Sequence, residues 1–507
     1  MKMDKMDKMD KMDKSPAGSG TSKRRTNPKH PTGQKPKPRR TGLQRQVMGI
    51  TWFFVSLFVA MGVYISYYAL ANEVELAENP YNGLQQILME QNSRGRIHAN
   101  GGEILADSIM DADGVEERVY PYGKLFAHVV GFASHGRSGI EAAANYYLIN
   151  SNIPLPQKAE NGSAGVKNPG DSVYSTLRVD LQETAANAMG VYRGAIIISE
   201  PHTGRILAMV SKPDFDPEKI PDIWEDLLKD DESSILLNRV TQGLYPPGST
   251  FKIFTALGYL REHDGSLDAY SFNCVGHFDA YGERINCFRN IAHGNEDFEY
   301  SFAKSCNSSF ANIGVSLDQD GLEKTLDELL FGADLPSPLV YNKSSVDLDE
   351  DTPKSELMQI TIGQGKTQIT PQHLHMVTSA IANGGVLMRP YLYDEVRTEN
   401  GSSVKRIGDS PAGRLMSTKE ADELAALMQA VVLSGTATRL QSDKYTAAGK
   451  TGSAEYGNVK GNSHAWFTGF APADEPRIAV TIIIEGGGSG GDYAVPIAAR
   501  IFDVYFK

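Results

Sequence analysis

Leu244-Tyr245-Pro246-Pro247-Gly248-Ser249-Thr250-Phe251-Lys252-Ile253-Phe254-Thr255-Ala256 is the stretch on which the reading of this chain turns. Tyr-Pro-Pro-Gly cannot continue a helix, Ser249 is able to cap one, and Phe251, Ile253, Phe254, Ala256 and Leu257 make a largely apolar run at helical spacing. The pattern predicts a hydroxyl at the point where a loop enters a buried helix. Three positions separate Ser249 from Lys252, so on a helix both side chains leave the same face within reach of each other. An amine placed there can take a proton from a serine.

Ser-x-x-Lys alone is a weak signal, because the chain repeats it at Ser301/Lys304 and Ser402/Lys405. Two further elements follow Ser249 in order: Ser305-Cys306-Asn307, then Lys450-Thr451-Gly452 inside Ala448-Gly449-Lys450-Thr451-Gly452-Ser453-Ala454. A second Ser-x-Asn, Ser271-Phe272-Asn273, follows Ser249 too closely to leave room for an intervening helical lobe. The ordered triple resembles the signature of penicillin-binding proteins and β-lactamases, a superfamily of serine acyl-transferases. Other pieces extend the resemblance over about residues 90–500. Arg94-Gly95-Arg96-Ile97, Tyr120-Pro121-Tyr122-Gly123 and Gly139-Ile140-Glu141 look like the membrane-proximal pedestal of class B penicillin-binding proteins, with His98-Ala99 departing from the usual Asp-Arg. Gly363-Gln364-Gly365 and Thr370-Pro371-Gln372 look like a structural signature beneath that family's active site. The same segment is no phosphate loop, since Ile360 occupies the place of the required first glycine.

The two ends of the chain face different surroundings. Residues 1–46 hold 14 Lys/Arg against 4 Asp/Glu, a net of +10, whereas the whole 507-residue chain is at −12. Gln46 to Asn72 is then a run of 27 residues without a formal charge, enough to cross a bilayer, with Tyr67 and Tyr68 suited to a headgroup belt. Basic residues precede it, while Glu73, Glu75 and Glu78 follow, so the positive-inside rule places the amino terminus in the cytoplasm and the rest outside. The basic lead fits topology or anionic lipid better than nucleic acid, and its Met-Asp-Lys repeat at residues 3–14 has the composition of a disordered segment.

The expected organisation is a disordered basic lead (1–46), a transmembrane anchor (47–70), a β-rich pedestal (71–175) and a catalytic domain (176–507). Lys158 to Asp171 reads as a loop or hinge, Val173–Leu177 as a strand, and Asp180 as the cap of a following helix. Apolar strands at Ala195–Ser199, Arg205–Val210, Ala465–Phe470 and Ile478–Ile484 bracket a long helical middle, with a closing helix from about Val495. The fold class is α+β, an antiparallel sheet covered by helices. The resemblance implies the transpeptidase-type fold of that superfamily, with Lys450 on the sheet's edge strand facing Ser249.

A serine needs a base, and Lys252 can serve if burial or a second cation such as Lys450 keeps it neutral. With the family as guide, Ser305 relays protons, Asn307 aligns the substrate's peptide bonds, and Lys450 with Thr451, Gly452 and Ser453 receives a terminal carboxylate. The N–H groups of Ser249 and Ser453 would hold the oxyanion. The resemblance implies a D-alanyl-D-alanine stem peptide of peptidoglycan as substrate, β-lactams as covalent inhibitors, and a polytopic glycan polymerase of the shape, elongation, division and sporulation family as partner. A D,D-carboxypeptidase, or an idle scaffold or sensor, are the alternatives. No cofactor is implied. Too few residues separate the span from the catalytic part for a glycosyltransferase domain.

Three cysteines are few for a disulfide scaffold. Cys274 and Cys287 flank a hairpin-like segment and can form either a bridge or two free thiols, and Cys306 reads as a small buried filler. No pair of histidines lies at metal-ligand spacing beside a carboxylate and His-Glu-x-x-His is missing, so no metal site is expected.

Overall fold

The computed structural model describes residues 41–71, 83–111, 115–229, 234–457 and 462–507. Most of the basic lead, its Met-Asp-Lys repeat, and Glu73, Glu75 and Glu78 lie outside the described residues.

Gly42–Ala71 is one helix of 30 residues (α1), apolar and long enough to cross a membrane over Gly42–Tyr68. Two of its polar side chains bond within the helix: the hydroxyls of Thr51 and Ser56 donate to the carbonyls of Val47 and Phe53 at 2.9 and 2.8 Å. In hydrocarbon, where no water can replace such bonds, that is the arrangement a spanning helix requires.

From residue 83 onward, Ile97–His98 (β1) turns through Asn100-Gly101-Gly102 into Ile104–Met110 (β2), followed by Glu116–Val119 (β3). Leu155–Ala164 is a helix (α2) that overlaps the predicted loop at Lys158. Pro156 sits in its first turn, where a missing N–H costs nothing, and Gly165 ends it in the left-handed conformation. Ser172–Ser175 (β4) and Val179–Met189 (α3) follow. Asp180 does not cap α3; Arg178 precedes the helix, and the Asp180 carboxylate accepts from the Leu181 N–H and the Arg178 guanidinium.

Gly194–Ser199 (β5) and Ile206–Lys212 (β6) form the apolar hairpin. Then come Lys252–Glu262 (α4), Asn307–Ser316 (α5), Pro371–Ala382 (α6), Tyr393–Arg397 (β7), Ser403–Arg406 (β8), Thr418–Leu433 (α7), Ala448–Glu455 (β9), Ser463–Ala471 (β10), Ile478–Ile484 (β11) and Gly490–Tyr505 (α8). The last helix starts earlier than its apolar residues suggest, because Gly490 and Gly491 form its first turn.

An antiparallel sheet of order β9-β10-β11-β5-β6 organises the later part. Every residue of β5 and β11 is buried, which is why these strands read as continuous apolar runs rather than alternating ones. Helices α6 and α8 pack against the sheet. Polar side chains bolt α6 to it: His375 bridges Ser199 Oγ (2.7 Å) and Thr481 Oγ1 (3.1 Å), and Thr378 meets Thr468 (2.7 Å). Burial holds the His375 pKa down at about 3, so the ring is neutral there.

A second sheet, β8-β7-β4-β1-β2-β3, mixes early and late chain. Its strands β7 and β8 follow α6 in sequence yet complete a sheet begun at Ile97. Beside it the three pedestal-like motifs meet. Arg94 Nε and Arg118 Nε donate to the two oxygens of the fully buried Glu141 at 2.5 and 2.8 Å, and the Tyr120 hydroxyl adds a contact at 3.3 Å. Gly95 between them admits no side chain, since a Cβ would lie 1.9 Å from the Asp171 carbonyl oxygen. His98, in place of the usual acid, stacks on Tyr174, and Arg96 pairs with Asp107 instead.

Candidate active site

The serine loop is fixed by backbone bonds before any chemistry is considered. Tyr245 exchanges hydrogen bonds with Ile369, Gly248 N–H donates to Gly363 O at 2.8 Å, and Trp466 Nε1 of β10 donates to Pro246 O at 3.0 Å. The Gly363-Gln364-Gly365 motif therefore holds the loop from beneath. Gly248 takes a positive φ of 53°, and a Cβ on it would lie 2.7 Å from Ser453 O, so loop and edge strand β9 touch backbone to backbone. Ser249 is not a helix cap: Gly248–Phe251 is a 3-10 turn preceded by Pro247, and it leads straight into α4. The tighter turn stacks positions three apart, which brings Lys252 over Ser249.

Lys252 Nζ lies 3.2 Å from Ser249 Oγ and donates to Asn307 Oδ1 and to Ser305 O, both at 2.7 Å, with Ser305 Oγ at 3.3 Å. Lys450 Nζ donates to the same Ser305 Oγ at 2.9 Å. Both lysines are fully buried, and neither forms a salt bridge among the described residues. Burial lowers the Lys252 pKa to about 8, opposed by the nearby Cys306, Cys287 and Glu296. Lys450 is held well below its usual value by burial and then by the charge of Lys252. The predicted pair of amines thus shares one hydroxyl. Ser305 reaches it from the left-handed region, φ 57°, a conformation that a non-glycine residue adopts only where its neighbours impose it.

Asn307 opens α5, its amide nitrogen donating to Asn286 O at 3.0 Å. Thr451, Gly452 and Ser453 lie on β9, and with Ser249, Ser305 and Asn307 they line an open cleft of about 570 Å³. Thr436, which the sequence reading missed, also lines it and hydrogen-bonds Thr451 Oγ1 at 2.5 Å. It sits in a Ser-Gly-Thr turn after α7 that carries no motif of its own. The decoys go elsewhere. The Ser301 hydroxyl donates to Glu296 at 2.8 Å in the interior, and Ser402 lies at an exposed turn before β8.

Of the two alternatives for Cys274 and Cys287, the structure shows free thiols. All three are free and buried, with Cys274 and Cys287 Sγ 3.6 Å apart and no bond between them. Cys306 is buried as expected, and in addition its Sγ lies 3.6 Å from that of Cys287 and caps α5 by accepting from Ser309 N–H at 3.3 Å. The expectation of no metal site weighed only histidine pairs, whereas here a single histidine, His293, joins the three thiols with every ligand atom within 4.8 Å of the others.

A serine paired with a buried lysine at the start of α4, set against the edge strand β9 of an antiparallel sheet, is the arrangement expected of a transpeptidase-type site. Residues 194–503 match the penicillin binding protein transpeptidase domain, and residues 94–173 the penicillin binding protein A dimerisation domain. The chain belongs to the penicillin-binding protein transpeptidases. It is 33% identical over 462 residues to the peptidoglycan D,D-transpeptidase PbpA of Mycolicibacterium smegmatis, covering 83% of this chain and 91% of that one. Penicillin-binding protein A of M. tuberculosis, solved as a ceftriaxone acyl-enzyme, superposes with a TM-score of 0.75 at 28% identity over 83% of this chain and all of that one. The D,D-transpeptidase domain of a peptidoglycan glycosyltransferase from Eggerthella lenta gives 0.74 at 30% identity, covering 82% and 98%.

Proposed function

We propose that this chain is a membrane-anchored class B peptidoglycan D,D-transpeptidase that works through a Ser249 acyl-enzyme. The observation that carries the reading is Lys252 Nζ at 3.2 Å from Ser249 Oγ, with both buried amines converging on Ser305. Neutral Lys252 takes the hydroxyl proton as Ser249 Oγ attacks the carbonyl of the penultimate D-alanine. The N–H groups of Ser249 and Ser453 hold the oxyanion, each such donor worth about 3 kcal/mol. The proton passes through Ser305 to the leaving D-alanine amine as the peptide bond breaks. An amine of a neighbouring stem peptide then attacks the ester, forming the cross-link and returning the proton to Ser249. Lys450 and Thr451 receive the terminal carboxylate, whose charge favours the protonated form of Lys450. A β-lactam would acylate the same oxygen, consistent with the acyl-enzymes seen in the M. tuberculosis relative.

The apolar α1 supports a single-pass anchor, and the charge asymmetry around it a cytoplasmic amino terminus with the cleft outside. A polytopic glycan polymerase is the partner this arrangement suits. Fluorescent penicillin tests the site: the wild-type chain is expected to label covalently and Ser249→Ala not at all. Normal labelling of that variant would refute the nucleophile, and unchanged wall cross-linking in cells carrying it would favour a scaffold.

A further inference from the structure

Between α4 and α5 the chain makes an excursion outside both large sheets. Phe272–Cys274 pairs with Gly294–Glu296, and His277–Ala280 pairs with Glu283–Asn286. Cys274 ends the first strand, Cys287 follows the hairpin, His293 precedes the last strand, and Cys306 lies between the two catalytic-motif residues Ser305 and Asn307. The four side chains converge although 32 positions separate the first from the last.

Their spacing is that of a metal shell. A tetrahedral zinc with Zn–S of about 2.3 Å requires sulfurs about 3.8 Å apart. The observed separations are 3.6 Å for Cys274 to Cys287, 3.6 Å for Cys287 to Cys306, and 3.4 Å for Cys274 Sγ to His293 Nδ1. The surroundings suit thiolates. Gly276 N–H donates to Cys274 Sγ, Ser309 N–H to Cys306 Sγ, and the Ser308 hydroxyl lies 2.9 Å from Cys287 Sγ. An independent observation points to a cation: Glu296 is buried, its Oε1 accepts no hydrogen bond from the described residues, and that oxygen sits 3.3 Å from His293 Nδ1.

We propose that Cys274, Cys287, His293 and Cys306 bind a structural zinc ion that clamps the Ser305–Asn307 motif to the 272–296 excursion. Three thiolates and an imidazole select zinc over the oxygen-seeking magnesium, calcium and manganese, and binding releases the thiol protons to solvent. The ion would hold the motif from two sides. Cys306 ties it directly, and Cys287 fixes the neighbouring Asn286, whose carbonyl accepts from the Asn307 amide. That brace explains how Ser305 is kept at its positive φ. The ion itself takes no part in acyl transfer; only the link to activity rests on the function proposed above.

The test uses the full chain in detergent, purified under reducing conditions without chelator and analysed for metal by mass spectrometry. About one zinc per chain is expected, falling to a small fraction of that in Cys274→Ser and in His293→Ala. Cobalt(II) added to stripped protein should give thiolate-to-metal charge transfer and the intense visible bands of a tetrahedral site. Stripped protein should acylate with fluorescent penicillin at least about tenfold more slowly and recover with zinc, since a displacement near 1 Å can cost about 10²-fold. Folded, reduced protein that takes up no zinc, or a Cys274–Cys287 disulfide in protein isolated from cells, would overturn the site. Equal acylation of loaded and stripped protein would overturn the clamp. A chain that binds zinc but never labels would sink the proposed function and leave the metal site standing.

Discussion

Glu141 and Lys252 are both sealed from water, yet they are built on opposite principles. Burial pushes the Glu141 carboxyl up, but the charges of Arg118 and Arg94 outweigh it, and the pKa lies below the ordinary carboxylate range. Lys252 has hydroxyl, carbonyl and amide oxygens around it but, among the described residues, no carboxylate at ion-pair distance, and a second lysine donates to Ser305, which Lys252 also touches; burial wins and its pKa falls to about 8. A matched buried charge is locked in one protonation state and holds structure together. An unmatched one is poised between two states and can move a proton.

Removing the proposed base is expected to have the largest effect. Lys252→Met should slow acylation by about 10²–10⁴-fold while the variant still unfolds cooperatively, measured by stopped-flow with a chromogenic β-lactam. The matched charge should show the reverse pattern. Glu141→Gln leaves two guanidiniums without their anion and is expected to cost about 3–5 kcal/mol in denaturant unfolding. Acylation by the variant's folded fraction should stay within about twofold of wild type, because the two sites share no partners. A large loss of rate in folded Glu141→Gln would erase the contrast.

The pH dependence sharpens it further. In the proposed role Lys252 can act as a base only when deprotonated, so the acylation rate should fall roughly tenfold per pH unit below about 8 and level off above it. A profile flat from pH 6 to 9 would mean that the amine is not the base. Smallest is Thr436→Val, which removes the 2.5 Å bond to Thr451. A loss of about 0.5–1.5 kcal/mol, or roughly two- to tenfold in acylation rate, is expected.

Much of the cleft was legible because its residues are tied to local geometry: a Pro-Pro-Gly break, an i,i+3 pair, and a Lys-Thr-Gly strand each carry their own signal. Thr436 was not, since a threonine in a turn looks like any other until the strand opposite it is known. Lys158–Ala164 was misjudged for a related reason. Its Gly, Asn and Ser content favours a loop, but Pro156 and Gly165 supply a start and a stop that let the helix form. Asp180 and Ser249 both have cap-forming side chains, yet each is engaged by a basic partner instead.

By itself the sequence determined the apolar span of α1, the α+β pattern and the serine, lysine and asparagine of the reactive motifs, because periodicity, turn chemistry and short spacings act over a few residues. Only the tertiary structure decided that β7 and β8 complete a sheet begun at β1, that Arg94, Arg118 and Glu141 share one buried site, and that three cysteines and His293 converge beside Ser305. Those are meetings of distant segments. They depend on which surfaces are left to be covered once the local elements have formed, and no spacing along the chain encodes that.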